Sequence, residues 1–348
     1  MKKFANRNDE SKASYYPALD GLRGLAIVLV LICHNFYYIV PFRRGWVGVD
    51  LFFVLSGFLI SDVLLRKKNE NHFLLKFYMR RILRIFPLYY LTLIICFFIL
   101  PRVISSIQLD LNYFHEYQQW FWLFGQNWLF AFKGNPGWTL LDHLWSLATE
   151  EQFYLIWPWI VLMVSSPKNL ITLLISLLVI SFFTRFLLWT MPVDHVTYDH
   201  VCKFTRLDGL CVGCILNVFK YKGDFLLRLV DKILLFVLAV SIAILMVAGL
   251  IYPGHFPVVA CCGYSLLALS FGSLLHVCLN KRNELFQVFN TKCLKFLGKI
   301  SYGLYIVHLP VQRLSEPFVK SFLTQNTGLS NLALQITQSI ILTSAAII

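Results

Sequence analysis

Apolar residues in this chain fall into long runs, and the polar residues gather in short stretches between them. About 20 residues rising about 1.5 Å each cross the hydrocarbon core of a bilayer. On that measure the pattern predicts spans near 19–40, 48–65, 83–101, 142–164, 170–190, 204–220, 232–252, 257–279, 300–319 and 329–348. The expected fold is therefore an all-α polytopic membrane protein of ten transmembrane helices. Residues 1–18 make a cytoplasmic N-terminal segment and 19–348 one membrane domain, with no soluble domain large enough to fold alone. The stretch 117–132, with Trp120, Trp122 and Trp128, is apolar but short, and counting it as a span would put the later basic loops outside. It is read as an interfacial or re-entrant helix on the outer side.

Composition agrees with the pattern. Of 348 residues 58% are hydrophobic and only 14% charged, and the mean hydropathy is +0.66, far from the norm of soluble domains. The +13 net charge is unevenly placed. With the N-terminus inside, cytoplasmic segments hold Lys2, Lys3, Arg7 and Lys12, then the cluster Arg66 to Arg81, and later Lys220, Lys222, Lys281 and Arg282, whereas the outer loops are poor in basic residues. This asymmetry is the positive-inside rule, so the charge reports topology and leaves room for an anionic cytosolic ligand; it does not point to nucleic acid. The polar start and a first apolar run of spanning length argue against a cleaved signal peptide. Nine cysteines lie almost all within spans, and Cys211-x-x-Cys214 reads as buried small thiols ahead of a redox pair or a zinc half-site. No metal is expected.

The first span carries unusual chemistry. Arg23 and His34, with Asn35 beside it, close an apolar run, and eleven residues bring Arg23 and His34 back to within about 20° of one face, about 16 Å apart along the axis. Arg23 alone is explained equally by snorkelling to the inner interface. His34 is not, because an ionisable residue inside a span faces the bundle or a wet cavity, and a desolvated neutral imidazole is a base or nucleophile. It needs a partner. On the helix opening at His143, the residues His143, Glu150 and Tyr154 share one narrow face, with Ser146 on its flank and Glu151 turned away by about 100°. Glu150 is the carboxylate expected to orient His34 for base catalysis; a structural ion pair between two helices is the competing reading. Before the third span, Arg80, Arg81 and Arg84 stand at the inner surface, Arg81 and Arg84 on one helical face. Guanidinium forks there suit the phosphates of a carrier, and positive-inside anchoring explains charge but not the choice of arginine.

Six segments, in order, resemble the acyltransferase-3 family of integral membrane O-acyltransferases over almost the whole chain. They are Leu19-Asp-Gly-Leu-Arg23 to His34, Gly48-Val-Asp50 to Ser56-Gly57, Arg80-Arg81-Ile-Leu-Arg84-Ile-Phe-Pro87, Trp145-Ser146-Leu-Ala-Thr-Glu150-Glu151-Gln-Phe-Tyr154, Arg206-Leu-Asp208-Gly209 to Gly213, and Leu297 to Ser301-Tyr302-Gly-Leu-Tyr305-Ile-Val-His308. The resemblance implies transfer of an acyl group, usually acetyl, from acyl-CoA to a hydroxyl of a cell-surface carbohydrate or lipid-linked glycan, at the bacterial plasma membrane. It also implies that the residues matching Arg23 and His34 are essential, that the Arg81 and Arg84 pair is functionally important, and that Glu150 is a characteristic position. The family's C-terminal extracytoplasmic hydrolase-like domain is not in this sequence, which ends inside the tenth expected span, as a truncated chain or one whose last helix barely reaches the surface would.

Other motif positions have two readings each. Asp50 opens the second helix, where a carboxylate ordinarily caps free amides, with a catalytic role as the competing reading. Ser56-Gly57 reads as close helix packing ahead of a nucleophile. Arg206 and Asp208 either pair with buried charges or, for Arg206, stabilise an oxyanion. His308 shares a face with Ser301 and reads as a hydrogen-bonded bundle residue ahead of a second base. The aromatic segment 113–138 suits sugar stacking as well as an interfacial belt. Two chemistries stay open: His34 as general base, or His34 as the acyl carrier. The alternative from another class is a transporter exporting a glycan or small anion along a pathway lined by His34, Glu150 and Arg206, against which stands the lack of an inverted repeat.

Overall fold

The computed structural model describes residues 16–103, 113, 115–134, 140–164, 166–191, 205–222, 240, 262–279, 284–326, 337 and 341. Among them every regular element is helical. The long helices are α1 (Pro17–Asn35), α2 (Gly48–Lys67), α3 (Phe73–Ile94), α6 (Leu144–Met163), α7 (Pro167–Thr190), α8 (Asp208–Lys222), α9 (Tyr264–Cys278) and α11 (Lys292–Asn326). Between them lie α4 (Gln118–Trp122), α5 (Gln126–Lys133) and α10 (Glu284–Phe289). A 3₁₀ stretch Val40–Val47 leads from α1 into α2, and α3 runs on through a π turn, Ile95–Ile99, to Val103.

Among the described residues four stretches are long and apolar enough to cross a membrane: Pro17–Asn35, Pro41–Lys67, Phe73–Arg102 and Pro167–Leu188. α6 is broken chemically by Glu150-Glu151-Gln152, and the described parts of the expected sixth and eighth spans are shorter, as α8 and α9. The expected spans 232–252 and 329–348 lie outside the described residues, apart from 240, 337 and 341. The first helix ends at Asn35 and not near 40: Phe36 leaves helical geometry at φ −116° and ψ 31°, and the chain passes on to the 3₁₀ stretch. The stretch expected to be a single interfacial helix is two short ones, α4 and α5. The chain breaks at Phe124, whose φ of 53° leaves the helical region, ahead of Gly125.

α7 shows what surrounds the bundle. Ile175, Val179, Ile180, Phe183 and Leu187 are exposed while Arg185, on the other side, is fully buried. A bare apolar stripe outside and a guanidinium inside is the arrangement hydrocarbon selects.

Small residues let the other helices close in. A Cβ at Gly298 of α11 would sit 1.7 Å from the Asp20 carbonyl oxygen of α1, and one at Gly213 of α8 would sit 2.1 Å from the Val54 carbonyl oxygen of α2. These two backbone-to-backbone seams hold α1 against α11 and α2 against α8. Around them α1, α2, α3, α6 and α11 contribute Ile27, Phe53, Leu93, Leu144 and Ile306 to one apolar core, which fixes the inward faces carrying the polar residues.

Candidate active site

The polar face of α6 opens onto a cavity. Arg23 reaches it from α1, Ser56 from α2, Arg81 and Arg84 from α3, Ser146, Glu150 and Tyr154 from α6, and Ser301, Tyr302 and Tyr305 from α11, with Phe52, Phe53 and Ile85 as apolar wall. Three guanidiniums from two separate stretches of sequence therefore meet one chamber. Arg23 pairs loosely with Asp20, at 3.6 Å. Arg81 lies 5.2 Å over the Tyr154 ring, a cation–π geometry that holds it at the wall. Arg80 is turned away: it is exposed and lines a neighbouring groove with Lys67, Lys76 and Glu70, which Arg81 shares.

Glu150 does not orient His34. Its Oε1 accepts from Ser56 Oγ at 2.7 Å and its Oε2 from Tyr154 at 3.5 Å. The axial level explains the correction: Glu150 and His143 share a face of α6 but stand about 10 Å apart along it, and His143 is the one level with His34. Ser56, read as a packing residue, instead donates to the cavity's carboxylate, while Gly57 beside it does serve close packing, against the Leu210 carbonyl.

His34 belongs to a group of three imidazoles beyond the cavity's far wall. The His34 and His308 rings are 4.9 Å apart, and so are those of His143 and His308. His34 Nδ1 lies 3.0 Å from the Val30 carbonyl oxygen and 3.3 Å from His308 Nε2. His308 Nδ1 lies 2.7 Å from the Tyr305 carbonyl oxygen, and His143 Nε2 lies 3.1 Å from that of Ile306. Since a carbonyl only accepts, each of those ring nitrogens carries the hydrogen. In the neutral rings the lone pairs are then on His34 Nε2, His308 Nε2 and His143 Nδ1. Tyr305 stands between the chamber and these rings: its hydroxyl is 2.6 Å from Ser146 Oγ and donates to the His143 carbonyl at 2.9 Å. Gln312 donates to the His34 carbonyl at 3.0 Å, tying down the end of α1 where Asn35 is buried.

Asp50, Arg206 and Asp208 are outside the cavity. Asp50 makes no cap; its carboxylate is clasped by Arg206, with Nε to Oδ1 at 2.7 Å and Nη2 on Oδ2. Arg206 lies 4.3 Å over Tyr264 and 4.8 Å over Trp46. Asp208 takes a second fork, from Arg185, at 2.8 and 2.9 Å, completed by Ser265 at 2.5 Å. These buried pairs tie α2, α7, α8 and α9 together. Sequence reasoning passed over Arg185, although a lone arginine within an apolar run was a sufficient signal. It also gave no role to Tyr305, three residues before His308 on α11. No group of three or more ligand-type side chains suited to a metal ion occurs among the described residues.

Comparison with known proteins bears on what this arrangement does. The chain is 30% identical over 332 residues to the peptidoglycan O-acetyltransferase OatA of Listeria monocytogenes, covering 90% of this chain and 52% of that protein. It is 32% identical over 340 residues to the O-acetyltransferase OatA of Staphylococcus aureus, covering 89% and 52%. The chain thus spans about half the length of these curated relatives. No solved structure matches it. An acyltransferase domain model matches residues 16–348, nearly the whole sequence and every residue of the site just described, and the chain belongs to that acyltransferase family.

Proposed function

We propose that this chain moves an acetyl group from acetyl-CoA to a hydroxyl of a cell-wall carbohydrate, with ten transmembrane helices, the N-terminus in the cytoplasm and the arginine-lined mouth on the cytoplasmic side of a bacterial plasma membrane. The observation that carries the reading is the convergence of Arg23, Arg81 and Arg84 on one cavity that ends at the tyrosine bordering His143 and His308, the latter in contact with His34. The relatives' names supply the acceptor class: one is a peptidoglycan O-acetyltransferase. The donor fits the residues present, because the chamber's charged lining among the described residues includes three guanidiniums and no lysine, and guanidinium forks bind phosphates in pairs of hydrogen bonds.

In this mechanism the arginines hold the donor's phosphates and the pantetheine arm runs along Phe52, Phe53 and Ile85 toward Ser146 and Tyr305. The described arrangement is closed at that point, so the thioester meets the imidazoles only when the Tyr305–Ser146 hydrogen bond opens. His34 Nε2 then takes the proton of the acceptor hydroxyl, whose oxygen attacks the acyl carbon as the C–S bond breaks. Glu150 stays in the donor chamber and balances Arg23 and Arg81 there.

Donor binding tests the first half of this scheme. Arg81→Ala and Arg84→Ala are each expected to weaken acetyl-CoA binding by about tenfold or more, the scale of a charge-assisted hydrogen bond, as read by calorimetry in nanodiscs. The wild-type affinity should also fall with added salt more steeply than that of either variant. Unchanged binding in both variants would remove the donor from this cavity.

A further inference from the structure

His34 has a partner, and it is not a carboxylate. Two independent backbone contacts fix the direction of the hydrogen bond between the rings. The Val30 carbonyl, 3.0 Å from His34 Nδ1, requires the hydrogen on that nitrogen. The Tyr305 carbonyl, 2.7 Å from His308 Nδ1, requires the hydrogen there and so leaves His308 Nε2 with a lone pair. The one arrangement satisfying both is His34 Nδ1–H donating to His308 Nε2, at 3.3 Å, in a bond shared with Val30. The opposite direction would set lone pairs against two carbonyl oxygens. His308 is held firmly for this role: it is 1% exposed and packs against the rings of both His143 and Tyr305.

We infer that His308 is the positioning residue of the transfer, forming with His34 a two-imidazole dyad in which His308 Nε2 orients His34 and takes the proton from His34 Nδ1. The inference rests on the acyl-transfer reading proposed for this site. The bookkeeping closes. The acceptor's proton goes to His34 Nε2 as its oxygen bonds the acyl carbon. The proton already on His34 Nδ1 passes to His308 Nε2, and the cation then sits on His308, whose Nδ1–H points at the Tyr305 carbonyl. The C–S bond breaks, and the dyad returns one proton to the leaving thiolate, restoring two neutral rings. A dyad of this kind does in an apolar bundle what a carboxylate does elsewhere, without burying a fixed negative charge.

Two measurements on the whole chain in nanodiscs decide it. In ¹⁵N-histidine spectra of the wild type, His34 Nδ1 and His308 Nε2 should show a nitrogen–nitrogen coupling across the hydrogen bond, lost in His308→Gln. In kinetics, His308→Ala should lower kcat by about 10- to 100-fold, less than the ~10²- to 10⁴-fold of a general base itself, with the KM for acetyl-CoA unchanged. His308→Gln, whose amide oxygen can accept from His34 but cannot take the proton, should fall between Ala and wild type, and it carries the test should the Ala variant not fold. Absence of the coupling in the wild type, or folded variants both with kcat within about twofold of wild type, overturns the dyad. A wild type that transfers no acyl group would instead count against the proposed function, and the coupling would then decide the dyad by itself.

Discussion

His34→Ala is expected to lower acetyl transfer by about 10²- to 10⁴-fold, the contribution of a positioned general base, while the affinity for acetyl-CoA stays within about twofold of wild type. The two halves of this expectation come from different parts of the structure. His34 lies beyond Tyr305 and does not line the arginine cavity, so the contacts proposed to hold the donor's phosphates survive when its ring is removed. The ring nonetheless carries the lone pair proposed to accept the hydroxyl proton. Stopped-flow detection of free thiol, beside equilibrium donor binding, separates the two. A variant that keeps its turnover would move the base elsewhere, with Glu150 the next residue to examine.

Arg185→Leu should be the most damaging substitution for stability. The side chain is fully buried and bonds Asp208 through two nitrogens, the Thr205 carbonyl at 3.1 Å and Ser265 at 3.1 Å. Removing it strands a carboxylate within apolar packing, which costs about 3–5 kcal/mol when one partner of a buried pair is lost. The double variant Arg185→Leu with Asp208→Leu removes both charges and should recover much of the loss, since buried pairs give little net stability against well-packed apolar residues. The checks are the folded fraction on size-exclusion chromatography and the apparent Tm in detergent. A single variant as stable as wild type would show that the pair does not tie α7 to α8.

The helical class and the apolar character of the chain were legible because both are set by local pattern, and the cavity's Arg23, Arg81, Arg84, Glu150 and Tyr154 were legible for the same reason: each projects from one face of one helix. What local pattern does not carry is the axial level at which two helices meet. Periodicity put Glu150 and His143 on the same face of α6, but only the packing of α1 on α11, closed down by Gly298, decides which level faces His34. The partner it brings there, His308, is 274 residues away in sequence. Asp50 was misread for a related reason. Its position at the start of α2 fits a cap, and the Arg206 that takes its carboxylate comes from a distant segment. The break at Phe124 was also hidden, since nothing in a run of aromatic residues marks a positive φ until Gly125 follows it.

The central claim is group transfer from a coenzyme A thioester, and the most direct test follows the acyl group itself. The purified chain in proteoliposomes would be supplied with [¹⁴C]acetyl-CoA and a cell-wall glycan, and label would be counted in the glycan after mild base treatment that releases O-esters. The account predicts base-labile label in the glycan, one thiol released for each acetyl group transferred, and loss of both in His34→Ala. Donor bound at the arginines with no label in the glycan and no thiol released would contradict it.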